Sequence, residues 1–228
     1  ANLADGSNPN PDALTQNGVI KVTAPDGLQT LNIGGIDVVV NGVAITSPQS
    51  ITLPSGNTLT ILGYNPTTGE VTYTYTLTGA ETHNQGDGTV NNEQIAVHAV
   101  DSDGDVADGN INVHVTDDVP QANPDIGYVK EGGETSGNIL GNDTAGADGP
   151  AAGGLIVGVR AGSDTSTPVT GGVGTVIQGL YGTLTVDANG NASYVANPNN
   201  GGQGDAQDVF TYTIRDADGD TSTTTVTV

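Results

Sequence analysis

Two pentapeptides concentrate the chemistry available to this chain: Asp101-Ser102-Asp103-Gly104-Asp105 and Asp216-Ala217-Asp218-Gly219-Asp220. Each sets three carboxylates within five residues, with a glycine that lets the backbone fold around a centre. Two carboxylates about 4 Å apart repel by roughly 4 kcal/mol at an effective dielectric near 20, so such a loop calls for a cation. Hard oxygen donors on a flexible loop favour Ca²⁺ over Mg²⁺, which prefers a rigid octahedron and keeps its water. The loops are not EF-hands, which need Gly at position six and Glu at position twelve. Counted from Asp101 those positions hold Val106 and Asn112; counted from Asp216 they hold Thr221 and Thr227. The glycine-rich nonapeptide of calcium β-rolls is also missing; Gly201-Gly202-Gln203-Gly204-Asp205 occurs once and out of register.

Composition removes most other chemistries. The 228 residues include no Cys and no Met, which excludes disulfides, thiol nucleophiles and thiolate metal sites. Twenty-six acids against four bases give a net charge of −22. Nothing here would release counterions from a nucleic acid or hold an anionic membrane. No run of 18 apolar residues is present. The segment from Ala1 lacks the basic and apolar regions of a signal peptide, and the absence of an initiator Met is expected of a piece cut from a longer protein. The histidines are His83, His98 and His114, with no H-E-x-x-H. Strand alternation puts His98 and His114 on a solvent face, opposite one another. With the acids in turn loops, no Trp and one Phe, no catalytic residues are assigned and the chain is not expected to be an enzyme.

The elements that must position these loops are strands. Of the acids 21 are Asp, and with 31 Thr and 35 Gly the chain is rich in strand and turn formers. Val71, Tyr73, Tyr75 and Leu77 alternate with threonines; so do Phe210, Tyr212 and Ile214, giving one apolar and one polar face. Asn41-Gly42 and Asn189-Gly190 mark hairpins. The chain divides into residues 1–118 and 119–228, with 14 acids and one base in the first part and 12 acids and three bases in the second. Each part ends with the same order: strand, turn, strand, loop, strand, D-x-D-G-D, strand. Between them Asp117-Asp118-Val119-Pro120-Gln121-Ala122-Asn123-Pro124 reads as a short, stiff linker. The expected fold class is all-β: two tandem Ig-like or cadherin-like antiparallel β-sandwiches.

Topology then places the loops. A domain's last strand runs toward its exit, so the loop before that strand lies at the entry end. Asp216, Asp218 and Asp220 are therefore expected beside the linker, where Asp117 and Asp118 arrive from the first part. Asn142 and Asp143 are expected to join them in a composite calcium site. Asp101, Asp103 and Asp105 are expected at the free entry end, approached by Asp26, with a preceding module supplying the remaining ligands.

These motifs, with Thr116-Asp117-Asp118-Val119-Pro120 and Gly137-Asn138-Ile139-Leu140-Gly141-Asn142-Asp143-Thr144, resemble the repeat modules of large RTX adhesins exported by type I secretion. The likeness covers most of both parts; cadherin-like and bacterial Ig-like modules share the Asp-rich junctions. It implies an extracellular, cell-surface extender that is monomeric in isolation. The partners would be adjacent repeats of the same chain, Ca²⁺ would stiffen the string, and a distal tip would serve adhesion and biofilm formation. The alternative is a calcium-dependent module that binds carbohydrate or ice; for carbohydrate the 80–93 loop, without counterpart in the second part, is the first place to look.

Overall fold

The computed structural model describes residues 2–45, 48–81, 83, 90–199 and 206–228, with the backbone alone for 90–92. Residues 82 and 84–89 of the 80–93 loop and all of 200–205 lie outside the described residues.

A 3₁₀ turn (Pro11–Leu14) precedes β1 (Thr15–Lys21), β2 (Leu28–Ile33), β3 (Ile36–Val40), β4 (Val43–Ala44) and β5 (Gln49–Thr52). There follow β6 (Thr58–Asn65), β7 (Glu70–Thr76), β8 (Val90–Asp101) and β9 (Val106–Thr116). Beyond the linker come β10 (Asp125–Ile126), β11 (Glu134–Asn138), β12 (Ile156–Ala161) and β13 (Val176–Gln178). The chain ends in β14 (Gly182–Val186), β15 (Asn191–Ala196), β16 (Val209–Arg215) and β17 (Thr221–Thr227).

Among the described residues the strands form four sheets, ordered β1-β7-β6-β5, β4-β3-β2-β8-β9, β11-β15-β14-β13 and β10-β17-β16-β12. One pairing scheme serves twice: β1-β7-β6-β5 corresponds to β11-β15-β14-β13, and β2-β8-β9 to β12-β16-β17. The first part adds the β3–β4 hairpin, and the second adds β10, which pairs parallel with β17 through Asp125↔Val226. The other ladders are antiparallel. The chain is thus an all-β assembly of antiparallel sheets with Ig-like sandwich character.

Alternation explains the cores. One hydrophobic cluster gathers Leu31, Ile33, Leu59, Ile61, Val71, Tyr75 and Ile95; the other gathers Leu184, Val186, Tyr194, Phe210, Tyr212 and Ile214. Burying one such side chain is worth about 1.5–3 kcal/mol, so each cluster is a major source of stability. The first ends at Val113 and the second begins at Ala122, leaving the acidic linker between two apolar masses.

Two expectations need correction. Thr211 and Thr213 do not form a polar, exposed face on β16; both are fully buried. The 162–171 segment covers that side, and the hydroxyls are satisfied there: Thr211 donates to Gly162 O at 2.8 Å, and Val169 N donates to Thr213 Oγ1 at 2.7 Å. Gly158 permits this cover, because a Cβ there would sit 2.0 Å from Val169 O. His98 and His114 are not opposite one another either: the β8–β9 register sets His98 against Asp108, 2.6 Å apart, and His114 against Asn92.

Candidate metal centre

The loop between β16 and β17 is organised by one oxygen of its first residue. Asp216 Oδ1 accepts from Gly219 N at 2.9 Å and Asp220 N at 2.7 Å, while Asp216 N donates to Asp220 O at 3.1 Å. Gly219 sits at φ +115°, where a Cβ would strain the turn. This leaves Asp216 Oδ2 buried and without a hydrogen-bond partner among the described residues, on a residue only 1% exposed. An antiparallel bridge between Pro150 and Asp216 draws the 146–150 turn over the loop and brings in Asp148. Oxygens of Asp148, Asp216 and Asp218 then lie within 4.8 Å of one another.

The first part supplies the opposite wall. Asp117, just past β9, accepts from Asp118 N through Oδ1 at 2.7 Å, while its Oδ2 is buried and makes no hydrogen bond. Asp218 Oδ2 accepts from His83 N at 3.3 Å, and Asp218 Oδ1 is buried without a partner among the described residues. A cavity of about 20 Å³, lined among others by His83, Asp117, Asp118 and Asp148, opens here. It has room for one ion or water, not for an organic ligand.

The electrostatics reflect crowding. Burial first, then the charges of Asp218 and Asp117, push the Asp148 carboxyl up to about 6. Burial, together with the Asp218 carboxyl and against the amides of Gly219 and Asp220, pushes Asp216 up to about 7. Burial and then the neighbouring Asp220 carboxyl raise Asp117 as well. Buried oxygens without donors are costly. One divalent cation would satisfy several at once and remove the mutual repulsion.

The 101–105 loop has the same internal wiring in a different setting. Asp101 Oδ1 accepts from the amides of Asp103, Gly104 and Asp105 at 3.3, 3.0 and 2.8 Å. Gly104 sits at φ +98°. Ser102 N donates to Gly27 O at 2.9 Å, which docks the loop on the Asp26 turn. Asp26, Asp101 and Asp103 offer oxygens within 4.8 Å of one another. Asp26, Asp103 and Asp105 are exposed, and the Asp105 carboxylate is outside that group.

Three candidate ligands are placed otherwise than expected. Asp118 is buried, but its carboxylate accepts from Ser7 N at 2.9 Å and Ala147 N at 2.8 Å, tying the N-terminal segment and the 146–150 turn to the linker. Asp143 accepts from Asn123 N at 2.7 Å, and its other oxygen lies 2.9 Å from the Tyr212 hydroxyl. Asn142 donates to Pro124 O at 3.1 Å. Asn142 and Asp143 thus brace the linker backbone instead of entering the 216–220 cluster, because the linker's amides and carbonyls reach them first. Asp143 also faces Asp125 across Tyr212, and burial raises both carboxyls.

The sequence reading passed over Asp148 and His83. Asp148-Gly149-Pro150 carries an ordinary turn signal, and only the bridge to Asp216 makes it a neighbour of the loop.

Among the described residues, no helix is long and apolar enough to cross a membrane. A search of curated proteins returns no match to the chain. Residues 117–228 match a family model described as a bacterial Ig domain. Over that span the chain is similar to a bacterial Ig-like repeat module, and the first part repeats the same strand-pairing scheme.

Proposed function

We propose that the chain is a calcium-rigidified spacer of a large secreted bacterial adhesin, holding a ligand-binding tip away from the cell surface. Its two parts act as tandem modules. Ca²⁺ at their junction is held by Asp117, Asp148, Asp216, Asp218 and Asp220. Asp118, Asn142 and Asp143 position the backbone that carries these ligands. Asp26, Asp101, Asp103 and Asp105 form the matching half-site for a preceding module.

The observation that carries this reading is the set of buried carboxylate oxygens at one joint, contributed from both sides of the linker. Among the described residues, Asp117 Oδ2, Asp216 Oδ2 and Asp218 Oδ1 are all buried without hydrogen-bond partners. Surface acids in ordinary turns are solvated, and these are not. Extracellular calcium modules bind with dissociation constants of roughly 0.1–1 mM. At a hundredfold excess over that constant, one site stabilises the bound form by about 2.7 kcal/mol. Without the ion, like charges at the joint repel and the linker hinges.

Small-angle scattering of the 228-residue chain tests the mechanism. Millimolar calcium should give the narrow profile of a fixed rod, and chelator a broader ensemble with a changed maximum dimension. Identical profiles under both conditions would remove calcium from the mechanism.

A further inference from the structure

His83 lies at the same joint, and its chemistry is not that of an oxygen ligand. The imidazole is 4% exposed. Its Nε2 is 3.1 Å from Val115 O, a carbonyl that can only accept, so Nε2 carries the hydrogen. In the neutral ring the lone pair is then on Nδ1, which has no hydrogen-bond partner among the described residues. That nitrogen faces the acids: it is 3.2 Å from Asp117 Oδ1, on a side chain 1% exposed. A lone pair turned toward a buried carboxylate is repulsive unless a positive charge lies between them. An imidazole with one nitrogen anchored on a backbone carbonyl and the other turned toward a carboxylate that can share its ion is the usual posture of a metal-ligating histidine.

We infer that His83 Nδ1, Asp117 and Asp218 form a second metal site at the joint, selective for a borderline transition ion of the Zn²⁺ class. The inference rests on the reading of the joint as a cation site but assigns a different ion to different donors. Donor atoms of these three residues lie within 4.8 Å of one another. Two ligands at about 2.1 Å on a tetrahedral zinc stand roughly 3.4 Å apart, close to the 3.2 Å between Nδ1 and Asp117 Oδ1. Calcium takes oxygen ligands, whereas imidazole suits zinc and its neighbours. Three protein donors leave a fourth position for water. Asp218 belongs to this group and to the oxygen-only group with Asp148 and Asp216, so its two oxygens would bridge unlike ions. The site pins the loop bearing His83 to the second part, and the joint becomes responsive to two metals instead of one.

The test uses the whole chain, stripped of metal and then held in saturating calcium. Zn²⁺ is titrated by calorimetry, and Co²⁺ serves as the visible probe of a low-coordinate nitrogen–oxygen site. One ion per chain should bind despite the calcium, with an intense visible cobalt band. Histidine ¹⁵N spectra of the unmutated chain should show His83 Nδ1 shifting on zinc addition while His98 and His114 stay in place. His83→Gln should abolish the cobalt band and weaken zinc at least tenfold while keeping the calcium-dependent scattering change. Asp148→Asn should weaken calcium and keep zinc. Zinc binding that survives His83→Gln, or that disappears on replacing His98 or His114, marks an adventitious ion only and overturns the inference. So does an unmoved His83 spectrum, which leaves an imidazolium–carboxylate pair. In those cases a retained calcium response preserves the spacer reading; loss of the calcium response with zinc binding intact would sink that reading alone.

Discussion

The two D-x-D-G-D loops share a motif and an internal hydrogen-bond pattern but not an environment. In both, the first Asp turns one oxygen inward to the amides that follow. At 101–105 the remaining carboxylates face solvent beside Asp26. At 216–220 the same positions are roofed by the 146–150 turn and walled by Asp117 and His83. The titration behaviour separates accordingly. A hydrogen bond from the Asp103 carboxyl lowers Asp101 while Asp103 rises, as in a pair sharing one proton in water. Asp216 is pushed up to about 7, primarily by burial. A motif can therefore supply a ligand geometry, whereas the strength of its demand for a cation is set by what covers it.

Calcium removal should have the largest effect on this contrast. Differential scanning calorimetry in millimolar calcium and in chelator should differ by about 2–3 kcal/mol in stability, several degrees in Tm. The transition affected should be that of the second part, which owns the buried loop. An equal shift in a variant lacking the 216–220 carboxylates would break the comparison.

Asp216→Asn comes next. The amide oxygen still accepts from Gly219 and Asp220, but the charge is gone. The variant should lose most of the calcium-dependent gain, yet at pH 8 in chelator it should melt at or above the wild type, because one buried like charge has been removed. A lower melting temperature in both conditions would mean that Asp216 serves the turn alone. Asp218→Ala should lower Tm in calcium and change little in chelator.

The pH response sharpens the contrast further. Asp148 at about 6 and Asp216 at about 7 lie above the ordinary value of 3.8, so the folded, metal-free protein holds more protons than the unfolded chain between these limits. Their contribution is full below about 3.8 and disappears as pH rises through about 7. Denaturant titrations in chelator should therefore show stability falling from pH 4 to 7, and saturating calcium should flatten the curve at its upper end. A flat curve in chelator would mean that the joint is not electrostatically strained.

The smallest effect belongs to the outer loop. Asp103→Asn should leave the stability of the 228-residue chain almost unchanged, with or without calcium, since its carboxylate is exposed. Fusing a preceding module should make the same substitution costly in calcium.

Much of this was legible from local chemistry. Alternation in 71–77 and the Asn-Gly turns marked strands and hairpins that the ladders contain, such as Val40↔Val43 and Val186↔Ala192. The doubled motif order anticipated the doubled pairing scheme. Chain direction alone placed the 216–220 loop near the linker, and Asp117 and Asp218 do meet there. Contacts between segments with no sequence relation were not legible. Thr211 and Thr213 looked like a solvent face because alternation cannot show that the 162–171 segment, far back in the chain, folds over them. Asn142 and Asp143 carried the right donors, but the nearer linker backbone claimed them.

The order of residues, then, determined the strands, the turns and the inward-bonded Asp of each acidic loop, because these follow from side-chain period and from hydrogen bonds within five residues. Tertiary structure decided which acids became buried and which histidine faced them. Asp148 reaches the joint through a bridge to Asp216, and His83 through a loop from the other part. Desolvation depends on everything packed around a charge, and that sum is taken over neighbours in space, not along the chain.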